Sequence, residues 1–122
     1  MPRRILSRQI RTRPLEEREI AQYLRILNAR DLYYQPENFP RLCSRHLFGN
    51  SAPLELEVGC GTAEFLCSLA AKEPAVNFIG VDIARRPLYK AVAVASSLQL
   101  SNVRFLNANF VQLYPQIGRA HV

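Results

Sequence analysis

The stretch Leu54-Glu55-Leu56-Glu57-Val58-Gly59-Cys60-Gly61-Thr62-Ala63-Glu64-Phe65 decides the fold. It reads as an apolar strand ending in a carboxylate, then a glycine turn, then the start of a helix. Glycine lacks a Cβ and tolerates positive φ, so the backbone at such a turn can come close to a ligand. The helix that follows aims its amino-terminal N–H groups at the same spot. Twenty-five positions after Glu57, a second apolar strand, Asn77-Phe78-Ile79-Gly80-Val81, ends in Asp82. Two acids at the carboxyl ends of neighbouring strands, one beside a glycine turn, describe a nucleoside site.

Outward from this centre, a helix is predicted from about Ala63 to Lys72, stopping at Pro74, and another from about Pro87 to Leu98. The turn-like Ser101-Asn102 leads into a third strand, Val103 to Leu106. Strand, helix, strand, helix, strand is the first half of a doubly wound parallel sheet. Right-handed crossovers give the three strands the spatial order three, two, one. The first strand is then central in a complete sheet and an exposed apolar edge in this one. Upstream, Pro14 to about Arg30 is predicted helical. Glu16, Glu17 and Glu19 sit near its positive end, and Ile20, Tyr23, Leu24 and Leu27 fall at helical spacing. Residues 31–53, with Pro36, Pro40, Gly49, Asn50 and Pro53, read as loop with room for one short helix.

The 122 residues, 48% of them hydrophobic, suffice for one ordinary domain, and the net charge of +6 suits a polyanionic partner. Arg3, Arg4, Arg8, Arg11 and Arg13 form a basic arm with no acid among them, read either as a solvated tail or as a nucleic-acid contact. Cys43, Cys60 and Cys67 are odd in number and lack C-x-x-C spacing, which argues against a disulfide framework and a zinc site and for a cytoplasmic protein. No general base is placed near Cys60 by any motif, so it reads as a small buried thiol, and His46 as a packing or surface residue. No metal is expected, and no window is apolar enough for a membrane span.

The cofactor follows from the turn. A dinucleotide fingerprint, G-x-G-x-x-G, would need glycine at position 64, where the chain has glutamate. The pattern E-x-G-x-G-x-G fits better: Glu57, Gly59 and Gly61 match, and Ala63 stands in for the last glycine. A cofactor with a cationic sulfonium, an α-amino group and no pyrophosphate favours an acid at the turn. The site is read as one for S-adenosyl-L-methionine. Asp82 is compatible with any ribose-binding α/β site.

Together the segments resemble the tRNA (guanine-N7)-methyltransferases. Leu56 to Leu66 closely follows the family's L-E-I-G-C-G-x-G-E-F-L, with Val58 for the isoleucine and Ala63 for the last glycine. Phe78-Ile79-Gly80-Val81-Asp82-Ile83 follows F-I-G-[IV]-[ED]-I, and Asn102 to Phe110 follows the third segment, with Asn109 where the family has an acid. The resemblance covers roughly residues 54–114. It implies a Rossmann-like class I methyltransferase fold, first half only, with a helical amino-terminal extension. It also implies methyl transfer from S-adenosylmethionine to guanine N7 of tRNA. In that reading Glu57, Gly59 and Gly61 meet the methionine portion, Asp82 the ribose, and Asn109 with Phe110 the adenine, and Ile83 is a further cofactor-binding residue. The family's P-D-P-W segment, which carries catalytic and guanine-contacting residues, has no match, so no catalytic residue is named and the chain alone is expected to be inactive. The alternatives are a class I methyltransferase acting on a protein or small molecule, and a non-catalytic RNA-binding α/β module.

The final residues, Ile117-Gly118-Arg119-Ala120-His121-Val122, equal the translation of ATC-GGA-AGA-GCA-CAC-GTC, a string found in a sequencing-library adapter. They are expected to be read-through, with natural sequence ending near Gln116. The organisation expected is therefore residues 1–53 as basic arm, helix and loop, 54–116 as the cofactor-binding half-domain, and 117–122 as the scar.

Overall fold

The computed structural model describes residues 14–38 and 41–113; the arginine arm and the six terminal residues lie outside them. The elements run α1 (Glu17–Tyr23), β1 (Leu24–Ile26), α2 (Ala29–Tyr34), a 3-10 turn (Pro36–Asn38), α3 (Ser44–Phe48), β2 (Leu54–Val58), α4 (Glu64–Lys72), β3 (Asn77–Asp82), α5 (Arg85–Ser97) and β4 (Val103–Asn107). The four strands form one parallel sheet in the order β1-β4-β3-β2.

The three predicted strands stand in the expected mutual order, but the sheet is not three-stranded. The helix predicted over 14–30 is broken at Leu24, where the chain turns extended and β1 pairs with β4, Leu24 opposite Phe105 and Ile26 opposite Asn107. The cause is non-local: the free edge of β4 offers unpaired backbone groups, and three strand residues satisfy them. Leu27 N–H adds a further bond to the Asn107 carbonyl at 3.0 Å. Tyr23, at the break, is buried and donates its hydroxyl to the Leu100 carbonyl at 2.5 Å. Ser96 and the buried Glu19 share a hydrogen bond that fastens α1 to α5.

Both faces of the sheet are covered at its centre, so β3 and β4 are near-continuous apolar runs. Phe78, Val103 and Phe105 pack with Leu66, Cys67, Leu88 and Val92 on the α4–α5 side. Ile79, Val81 and Leu106 pack with Leu27, Leu32 and Leu42 on the other. At the opposite edge β2 leaves Leu56 37% and Val58 52% exposed. Two buried amides secure the connections. Asn102 Nδ2 donates to the carbonyls of Ala70, Glu73 and Val76, closing the end of α4. Asn77 Nδ2 donates to Ser44 Oγ and Asn50 Oδ1, fixing α3 to the start of β3.

Candidate active site

The carboxyl ends of β2, β3 and β4 lie together, Val58 in register with Val81 and Asp82 with Asn107. The chain leaves β2 through a turn in which Gly59 and Gly61 take φ of +76° and +57°. Gly59 and Cys60 N–H both donate to the Val81 carbonyl, at 2.6 and 3.2 Å, which folds the turn onto β3. Gly61 N–H donates to Asp82 Oδ2 at 2.8 Å, and Ala84 N–H to Asp82 Oδ1 at 2.8 Å. Asp82 thus ties the glycine turn to the start of α5. Each of its oxygens keeps lone-pair capacity beyond these bonds.

Ala63 caps α4 in the left-handed region, φ +58°, and is buried. A side chain there costs roughly 1–2 kcal/mol against an ordinary conformation, while glycine's extra entropy costs about 0.5–1 kcal/mol. Ala63→Gly is expected to hold stability level or raise it by up to ~1.5 kcal/mol in thermal melts. A fall larger than that would contradict the strain.

Burial pushes the Glu57 carboxyl above its ordinary value. The folded state therefore holds this proton more tightly than the unfolded chain. That contribution to stability is fully present below the ordinary carboxyl pKa and is lost as pH rises through the raised folded value. Cys60 is pushed up to about 12, first by burial and then by the Asp82 and Glu57 charges, so it is a neutral thiol, as is Cys67 at about 12.

A cleft of about 390 Å³ opens across the carboxyl ends of β1 and β4 and reaches Ile83 after β3. Ile83, Asn109, Asn107 and Gln112 line it. Glu57, Gly59, Gly61 and Asp82 do not line it, and neither does the half-buried Phe110. Asn109 Oδ1 already accepts the Val111 N–H at 3.0 Å. Gln112 Oε1 is a buried acceptor with no hydrogen-bond partner among the described residues.

Sequence reasoning missed three residues here. Asn107 donates from Nδ2 to the Asp82 and Ile83 carbonyls, both at 3.1 Å, and so holds the acid's backbone. Gln112 carries the unmet acceptor. Gly80 sits under the turn, where a Cβ would lie 2.7 Å from Cys60 Sγ. Among the described residues no group of His, Cys, Asp or Glu is arranged to hold a metal ion, and no helix is long and apolar enough to cross a membrane.

A family model described as "Putative methyltransferase" matches residues 51–119. A curated tRNA (guanine-N(7)-)-methyltransferase of Rubrobacter xylanophilus is 44% identical over 115 residues, 94% of this chain and 51% of the relative. Proteins of the same name from Chloroherpeton thalassium and Chloroflexus aurantiacus are 40% identical over 93% of the chain and 46% over 82%. The similarity therefore runs upstream of residue 54, where sequence reading found no motif. The chain spans about half the length of the curated relatives it matches. The family match spans the glycine turn and both strand-end acids, and the chain belongs to this methyltransferase family.

Proposed function

We propose that this chain binds S-adenosylmethionine as part of an enzyme that transfers its methyl group to N7 of a guanine in tRNA. The observation that carries the cofactor assignment is the Asp82 carboxylate seated on the Gly61 N–H. A pyrophosphate needs the N–H groups of such a turn for itself and would meet two carboxylates there. A sulfonium with an α-ammonium group meets the charge it needs.

In this reading Glu57 and the Gly59 and Gly61 backbone hold the methionine portion, Asp82 the ribose, and Asn109 and Phe110 the adenine, with Ile83 a further cofactor contact. The cofactor, when bound, supplies an electrophilic methyl on sulfur. Guanine N7 carries its own lone pair, so what remains for the protein is orientation and exclusion of water. Polyanionic tRNA suits the net charge of +6, and the free thiols Cys43, Cys60 and Cys67 suit the cytoplasm.

Glu57→Gln is expected to weaken S-adenosylmethionine binding by about 1 kcal/mol, the scale of a charge-assisted contact at a half-exposed site. It is also expected to raise the melting temperature at neutral pH but not below the carboxyl pKa. Calorimetry of both variants at two pH values checks the pair of effects. The function itself is tested by incubating an enzyme that carries this chain at the full length of its relatives with labelled S-adenosylmethionine and unmodified tRNA. Label on guanine N7, read by aniline cleavage after borohydride reduction, supports the assignment. Label on protein or on no acceptor overturns it.

A further inference from the structure

Arg104 is the second residue of β4 and half-buried at the sheet's amino-terminal end, away from Asp82 and Asn107. Its guanidinium carbon lies 4.9 Å from the centroid of the Phe48 ring and 5.9 Å from that of Tyr23. Nη1 donates to the Ser101 and Val103 carbonyls at 3.2 and 2.7 Å. Among the described residues no carboxylate pairs with it. A cleft of about 170 Å³ opens here between α1, β1 and α3, and Gln22, Arg25, His46 and Arg104 line it with no acid among them. The folded protein therefore keeps a half-desolvated cation in a concave, wholly non-acidic setting. Two rings and two backbone carbonyls hold the guanidinium in place, which spares part of the entropy of ordering it on binding.

We propose that this cleft is a phosphate subsite for a polynucleotide backbone, remote from the glycine turn. A guanidinium fork matches phosphate oxygens in bidentate fashion, and Arg25, His46 and the Gln22 amide add donors around it. The partner class rests on the tRNA reading above, but the cleft's own chemistry is tested without methyl transfer.

The test is fluorescence anisotropy of labelled tRNA, and separately of a DNA duplex, with the 122-residue chain over a range of salt concentrations. Arg104→Gln is expected to weaken binding three- to tenfold and to lower the slope of log K on log salt by about one. Arg25→Gln, at an exposed position, is expected to act in the same direction, whereas Arg18→Gln on α1 leaves both unchanged. Circular dichroism verifies folding, and if Arg104→Gln does not fold, Arg25→Gln carries the test. Unchanged affinity and slope in the folded cleft variants, or no binding of either polymer by the wild type, overturns the proposal. Losses on both polymers uphold it even if the methylation assay fails, so the two readings fall separately. A competition arm with millimolar inorganic phosphate distinguishes the sources. Erasure of the wild-type advantage over Arg104→Gln supports a cleft that free phosphate also enters, and its persistence supports one that engages only the polymer.

Discussion

Asp82→Ala is expected to destabilise the protein by roughly 2–3 kcal/mol, because two backbone N–H groups lose a charged acceptor at once. Gly61 N–H and Ala84 N–H are each held at 2.8 Å by this one side chain. Their release frees both the glycine turn and the first turn of α5. Cofactor affinity is expected to fall too, by more than the loss of one ribose contact, since the turn is no longer held in its binding geometry. Asp82→Asn separates the contributions: it keeps one acceptor oxygen, so it restores one of the two caps and part of the stability. Denaturant unfolding of the three proteins reads this series. Equal stability of wild type and Asp82→Ala would mean that the turn is held by the Gly59 and Cys60 bonds to Val81 alone.

Gly80→Ala is expected to cost about 1–3 kcal/mol, the range for forcing a methyl into a packed interior. A Cβ on Gly80 would lie 2.7 Å from Cys60 Sγ, 3.0 Å from Cys60 Cβ and 3.0 Å from Leu66 Cδ2. Leu66 can swing its methyl aside, but Cys60 is short and sits on the turn, so the turn itself must rise off β3. Cys60→Ala in the Gly80→Ala background is expected to recover part of the loss, because it removes the atom met first. Additive costs in the double variant would show that the clash is relieved some other way.

The segment from Leu54 to Asn107 was legible because its physics is local. Strands covered on both faces are continuous apolar runs, and their ends are marked by Gly59, Asp82 and the Ser101-Asn102 turn. The run from Ile20 to Leu27 was not, because its spacing satisfies a helix while its actual partner, β4, lies some eighty residues away. The same division holds in the site. Glu57, Gly59, Gly61 and Asp82 announce themselves by residue type and spacing. Asn107 matters only through its register with Asp82, and Gly80 only through the approach of Cys60, and neither relation is written in neighbouring residues. Asn109 was assigned an adenine contact by analogy, and its side-chain oxygen is already engaged by Val111 N–H.

The most direct measurement is a ¹H–¹⁵N correlation spectrum of the chain titrated with S-adenosylhomocysteine and, in parallel, with NADH. Saturable shifts at the amides of Gly59, Gly61, Thr62 and Ile83 with the first ligand, and none with the second, are predicted. Undisturbed amides there with S-adenosylhomocysteine, or the same set moving with NADH, would contradict the assignment of this turn to a sulfonium cofactor.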